Sequence, residues 1–194
     1  IDIQGTDASE FLNRVYTNAW SKLAIGKCRY GLMLNEDGMV NDDGVTTRLG
    51  ENHYIMTTTT GGAANVLSKL EDYLQTEWPE LDVYLTSVTD HFATVSVCGP
   101  NSKKIVSNVI DNLDFSDENF PHMSFKNAKI GKINCRVMRI SFTGELSYEI
   151  NVQANYAKSL WKKCIEAGKN FNITPYGTET MHLLRAEKGF IIVG

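Results

Sequence analysis

The chain lacks the features that mark several large functional classes. No apolar run reaches the length of a membrane span. No Cys-x-x-C pair occurs among Cys28, Cys98, Cys135 and Cys164, so neither a zinc site nor a thioredoxin-type motif is indicated. The expectation is four buried free thiols in a reducing cytoplasm, not a disulfide framework. No Gly-x-Gly-x-x-Gly and no P-loop phrase is present, which places any flavin or nicotinamide site in another region. The histidines stand at no recognisable spacing from Cys or Ser, which argues against a nucleophilic triad, and no metal site is expected. A net charge of −4 supplies no basic stripe, so neither nucleic acid nor an anionic membrane is expected as a partner. No signal-peptide pattern, internal repeat or low-complexity segment is found.

What is present is an ordinary globular composition over 194 residues, with 42% hydrophobic and 22% charged residues. Strand-like and helix-like stretches alternate. Ile1–Gln4 reads as a strand end, and Thr6 or Asp7 can cap a helix whose face carries Ala8, Phe11, Leu12 and Val15. His53–Thr60 reads as a β-branched strand running into Gly61-Gly62 and a helix with Val66, Leu67 and Leu70, ended at Trp78-Pro79. Val83–Thr89 and Phe92–Val97 read as strands. A helix follows Pro100, with Ile105, Val106, Val109 and Ile110 on its face. Asn134–Ser141 and Tyr148–Val152 read as strands, and Ala157, Leu160, Trp161, Cys164 and Ile165 mark a helix stopped by Gly168. Thr178–Glu187 reads as a last helix, ended near Gly189. The pattern predicts α+β architecture with mostly antiparallel sheets. The opening IDIQG and closing FIIVG are both strand-like, which predicts a fragment of a longer chain.

The stretch around which the rest is arranged runs from Cys28 to Leu49. Cys28–Leu34 reads as a strand, Asn35-Glu36-Asp37-Gly38 as a tight turn, and the chain then returns as a second strand. Asp42 and Asp43 interrupt that return strand. Neighbours on a strand point to opposite faces, so one acid faces solvent and the other an interior or a cleft. A carboxylate in a cleft is costly unless it is paired or used. By spacing alone, an exposed turn carrying both acids is the simpler reading. The Thr57–Gly62 run likewise reads either as a flexible strand exit or as hydroxyls and backbone N–H groups offered to a ligand.

The phrase N-E-D-G-x-V-x-D-D-G-V resembles the folate-site turn of the aminomethyltransferase family, the T-proteins of the glycine cleavage system and their relatives. The phrases FLNRVYTNAWSKL, TEWPELDVYLTSVT, RISFTGELSYEINV and ITPYGTETMHLLRAEKGFIIVG are more similar still to the folate-binding regions of heterotetrameric sarcosine oxidase alpha subunits. That resemblance implies the family fold with two interleaved subdomains. One comprises residues 1–85 with 180–194, and the other residues 86–179. It implies tetrahydrofolate as the cofactor of this region, with FAD or FMN and NAD held by other regions or subunits. It implies a cytoplasmic protein whose partners are the other oxidase subunits and a small-molecule substrate.

Residue by residue, the resemblance implies that Asp43 lies against tetrahydrofolate as the catalytic carboxylate, accepting a proton from the folate nitrogens or orienting them, and that Tyr30 lines the pocket. It makes Thr59 and Thr60 candidates at the border of the pterin. In Arg139–Glu149, similar to R-T-G-Y-T-G-E-x-G-[FY]-E, it implies that Glu149 grips the aminopterin edge, where one carboxylate can accept from two adjacent donors. Phe142 replaces the family's Tyr, keeping the ring and losing a hydroxyl. Gly177–Lys188 resembles G-x-x-A-R-D-x-L-R-L-E and retains Arg185 and Glu187, whereas Met181-His182 replaces the earlier Arg-Asp. The implied activity is capture of the methylene carbon of oxidised sarcosine as 5,10-methylenetetrahydrofolate, with release of glycine. A free-standing glycine-cleavage aminomethyltransferase and a non-catalytic folate-binding module are the other two readings.

Overall fold

The computed structural model describes residues 1–193. The backbone forms nine strands and five α-helices among the described residues, and every strand pairing is antiparallel. Contacts divide the chain into two compact units. The first spans Ile1–Thr89 together with the residues from Ile192 on, and the second spans Asp90–Ile191.

The first unit holds a five-stranded sheet. Its strands are β1 (Asp2–Gln4), β2 (Cys28–Leu34), β3 (Val40–Gly50), β4 (His53–Met56) and β5 (Tyr84–Thr86), in the order β2-β3-β4-β1-β5. Helices α1 (Ala8–Val15) and α2 (Ala63–Asp72) supply Phe11, Leu12, Val66 and Leu70 to a core shared with Ile3, Trp20, Met33 and Tyr54. Asp7 stands at the N-terminus of α1, but its side chain does not cap the helix. It accepts the backbone N–H of Asp82 at 2.9 Å and thereby ties the helix start to the approach to β5.

The second unit holds a four-stranded sheet. Its strands are β6 (Phe92–Cys98), β7 (Ser124–Ile130), β8 (Ile133–Arg139) and β9 (Ser147–Gln153), in the order β6-β9-β8-β7. Helices α3 (Ser102–Ser107) and α4 (Ala157–Gly168) bury Val106, Leu160 and Cys164 against Val97, Val137, Tyr148, Ile150 and Val152. Alternation along β9 is strict: Tyr148, Ile150 and Val152 are buried, and Glu149, Asn151 and Gln153 stand on the opposite face. Helix α5 (Thr178–Lys188) ends at Gly189, whose φ of +80° suits a glycine C-cap.

Several expectations need correction. The predicted strand His53–Thr60 ends at Met56, because Thr57 turns its hydroxyl onto the Val45 backbone and Thr60–Gly62 form a 3₁₀ turn. The strand expected over Val83–Thr89 shortens to Tyr84–Thr86, and the helix carrying Ile105 stops at Ser107, with Val109 and Ile110 buried beyond it. Trp161 lies on the open side of α4 at 47% exposure. Phe190–Val193 form no strand. Strand β7 was not anticipated. Of the four free thiols, Cys98 is only partly buried and donates to the Tyr176 hydroxyl at 3.3 Å, while burial raises Cys135 and Cys164 to about 11. Contacts group α5 with the second unit, where the Lys188 side chain packs over Gly144, although the sequence reading places residues 180–194 with the first.

Candidate functional site

Strand β3 carries the paired acids, and its pairing with β2 decides which way each one faces. Asp42 stands opposite Met33 and Asp43 opposite Leu32. Met33 is a core residue, so Asp42 follows it inward and is 1% exposed. There it accepts the Tyr16 hydroxyl at 2.8 Å and the Thr59 backbone N–H at 3.0 Å. Burial pushes the Asp42 carboxyl above its ordinary value, against the two hydrogen bonds that favour its charge.

Asp43 stands on the other face with Tyr30, its diagonal neighbour across the β2–β3 ladder. Tyr30 donates to one Asp43 oxygen at 2.7 Å, and the Thr59 hydroxyl donates to the other at 3.2 Å. Desolvation and the adjacent carboxylates raise both phenols, Tyr16 and Tyr30, well above their ordinary range. Both therefore stay protonated and act as donors.

Thr59 joins the two faces, its backbone serving Asp42 and its side chain serving Asp43. Gly44 makes this possible. A Cβ there would lie 1.9 Å from the Thr57 carbonyl oxygen, so only glycine lets the 57–59 segment approach the strand. Of the candidates from the sequence, Tyr30, Asp43 and Thr59 come together in this unit. Thr60 is exposed and bonds to neither acid. Tyr16 and Asp42 were missed as members of the network. The signal for Asp42 was its alternation with Asp43, but nothing in the local sequence says that Tyr16 waits on the inner side.

In the second unit, Glu149 stands on the face of β9 away from α3 and α4, between Ser96 of β6 and Met138 of β8. Its carboxylate makes no hydrogen bond or ion pair among the described residues, and desolvation alone raises it to about 7. The contrast with Asp42 is chemical: one buried acid is fully served by donors, the other is desolvated with none. Nearby, Ser96 and Ser147 share a hydroxyl–hydroxyl contact of 3.2 Å, and burial pushes the Tyr176 phenol up to about 12. Phe142 lies partly buried in the bend between β8 and β9, next to the buried Thr143 and to Gly144 at φ +80°. Arg185 donates to the Phe190 carbonyl at 3.0 Å, so part of its guanidinium closes its own helix end, while its Nε is buried without a partner. Among the described residues no cluster of His, Cys, Asp and Glu could hold a metal ion, and no helix is long and apolar enough to cross a membrane.

The comparisons say which family this antiparallel α+β chain belongs to. The profile described as the GCVT N-terminal domain matches residues 1–194, and the chain belongs to that family. Within it, the chain is 57% identical to the sarcosine oxidase subunit alpha of Corynebacterium sp. (strain P-1) over its whole length, covering 20% of that relative. It is 49% identical to the subunit of the same name from Rhizobium meliloti (strain 1021), covering 98% of this chain and 20% of the relative. It is 31% identical to an aminomethyltransferase of Thermoanaerobacter sp. (strain X514), covering all of this chain and 51% of the relative. The chain thus spans about a fifth of the length of its sarcosine oxidase relatives. The crystal structure of glycine cleavage system aminomethyltransferase T from Bartonella henselae shares the fold, with a TM-score of 0.82 at 22% identity over 98% of this chain and 48% of that one. The resemblance read from the sequence and the α+β antiparallel fold are both borne out.

Proposed function

We propose that this chain is the tetrahydrofolate-binding one-carbon-transfer domain of a sarcosine oxidase alpha-type polypeptide. The observation that carries the reading is Glu149, a desolvated carboxylate held without a protein partner on a rigid central strand. A reduced pterin presents an exocyclic amine and a ring N–H side by side, and one carboxylate can accept both. The residues present fit the ligand in that respect: Glu149 supplies the acceptor edge that a pterin needs, and the carboxylate that most needs donors has none of its own.

When bound, tetrahydrofolate supplies the amine nitrogens that take up the methylene carbon of oxidised sarcosine, giving 5,10-methylenetetrahydrofolate and glycine. The chain's own residues hold and orient. Asp43 supplies a carboxylate that can accept or steady a proton and stabilise positive charge. Tyr30 and Thr59 each occupy one Asp43 oxygen, which fixes the plane of the carboxylate and leaves each oxygen a second lone pair for the ligand. Phe142 offers an apolar ring, and Arg185 on α5 offers a guanidinium whose Nε has no partner.

The relatives at 57% and 49% identity favour the oxidase setting over a glycine-cleavage setting, whose relative stands at 31%. FAD or FMN, NAD and the companion subunits belong, on this reading, to other parts of the assembly. The test is calorimetric titration with tetrahydrofolate. Wild type binds and Glu149→Gln binds at least tenfold more weakly, because a donor now faces the donor edge. Equal affinity of the two proteins would remove Glu149 from the site.

A further inference from the structure

Asp42 is a buried acid that the one-carbon step, as proposed above, does not use. It is closed off from the open face of its strand, yet each of its oxygens has a task. One accepts the Tyr16 hydroxyl at 2.8 Å, and Tyr16 is itself buried where α1 ends. The other accepts the Thr59 backbone N–H at 3.0 Å.

Thr59 stands where the sheet pairing has stopped. Strand β4 ends at Met56, and residues 57–59 belong to no helix or strand. The place of Thr59 is therefore set by bonds around it. Thr57 is tied to Val45 by its backbone N–H and by its hydroxyl. The Thr59 carbonyl accepts the Gly62 N–H at 3.0 Å. Between these two anchors, the Thr59 N–H is held by Asp42. A threonine side chain is stiff at χ1, so a fixed backbone fixes its hydroxyl. That hydroxyl is the one that donates to Asp43 at 3.2 Å. A path of hydrogen bonds thus leaves the inner acid, passes through one residue, and reaches the outer acid on the opposite face of the same strand.

We propose that Asp42 is a positioning residue for Asp43: it holds the Thr59 N–H from the inside, and Thr59 Oγ1 in turn holds the Asp43 carboxylate. Asp42 touches neither the ligand nor the reacting atoms. The inference rests on the reading of Asp43 as the carboxylate of the one-carbon step, and it gives the buried acid beside it a part in that step. A misplaced catalytic carboxylate slows the step without loosening the bound ligand.

The test uses the full-length alpha-type polypeptide assembled with its companion subunits, given sarcosine and saturating tetrahydrofolate. The readout is the ratio of 5,10-methylenetetrahydrofolate formed to formaldehyde released, with excess formaldehyde dehydrogenase removing the free aldehyde before it condenses with folate. Asp42→Ala is expected to lower the ratio about tenfold, with tetrahydrofolate affinity unchanged by calorimetry. Asp42→Asn keeps an oxygen for the Thr59 N–H and offers its amide to the Tyr16 oxygen, and it is expected to restore most of the ratio. Thr59→Val keeps the backbone bond and the branched shape but drops the hydroxyl. It is expected to reproduce the loss with the fold intact, whatever Asp42→Ala does to stability. Leu70→Ala, a cavity in the core of the same unit, controls for lost stability and leaves the ratio unchanged. A wild-type ratio in Asp42→Ala or Thr59→Val, an equal fall in Leu70→Ala, or no restoration by Asp42→Asn would overturn the positioning role while leaving Asp43 in place. A wild-type enzyme that forms no 5,10-methylenetetrahydrofolate, or an Asp43→Ala ratio equal to wild type, would overturn the proposed function, and this inference with it.

Discussion

Two carboxylate sites, one in each compact unit, solve the burial of charge in opposite ways. In the first unit every oxygen of Asp42 and Asp43 has a donor from Tyr16, Tyr30 or Thr59. In the second, Glu149 is desolvated on a central strand and has no donor. The first arrangement is complete within the fold and contributes stability. The second costs stability whenever the carboxylate is ionised, and only an outside donor offsets that cost. On the proposed function, the served network holds the plane of Asp43 and leaves it lone pairs for a ligand, and the unserved acid on an inner strand takes a ligand's donors.

The comparison breaks most sharply at Asp42. Asp42→Ala strands the Tyr16 hydroxyl and the Thr59 N–H in the interior, and urea unfolding is expected to show a loss on the order of 3 kcal/mol. Asp43→Ala, on the partly exposed face, costs less than about 1 kcal/mol of stability. On the proposed function its effect falls on chemistry: in the full-length alpha-type polypeptide assembled with its companion subunits, sarcosine oxidation is expected to continue while methylene capture fails, detected as released formaldehyde. The reverse stability order would show that the inner and outer acids are misassigned.

A smaller effect separates the units by pH. Glu149 has a folded pKa of about 7, above its ordinary 4.5. The folded state therefore holds this proton more tightly than the unfolded state. The contribution of Glu149 favours folding below its ordinary value and is lost as pH rises to about 7. Glu149→Gln removes this slope, and above pH 7 the variant is expected to melt at or above the wild-type temperature even as it loses ligand. A variant with an unchanged slope would place the desolvation elsewhere. The smallest effect is expected at Tyr30→Phe. It frees one Asp43 oxygen at a partly exposed position and costs about 1 kcal/mol or less in stability by thermal melt.

The sequence made much of this legible, but not evenly. The Asp-Gly turn after Leu34 and the glycine stop of α5 follow from local chemistry that no distant residue overrides. Strand β7 escaped notice because Lys126, Asn127 and Lys129 break its apolar alternation and only Ala128 and Ile130 reach the core of that unit. Alternation showed that Asp42 and Asp43 face opposite ways. Which of them is buried depends on Met33 and Tyr16, brought together by the return from α1 to β2. The four-threonine run looked like strand because β-branched residues favour strands, yet three of its hydroxyls hydrogen-bond within the chain and bend it away. Glu149 was legible only through its phrase. Its lack of a donor is a property of three strands packed together, and no stretch of one of them carries it.

The central claim is that Glu149 is a carboxylate kept waiting for a ligand's donors. Isotope-edited infrared spectroscopy of glutamate-labelled protein, with Glu149→Gln as the difference reference, follows its protonation directly. The expected result is a titration centred near 7 in the free protein, moved to lower pH when tetrahydrofolate is bound, with proton release at pH 6. An ordinary titration near 4.5 in the free protein, or a midpoint that tetrahydrofolate leaves unmoved, would contradict the account.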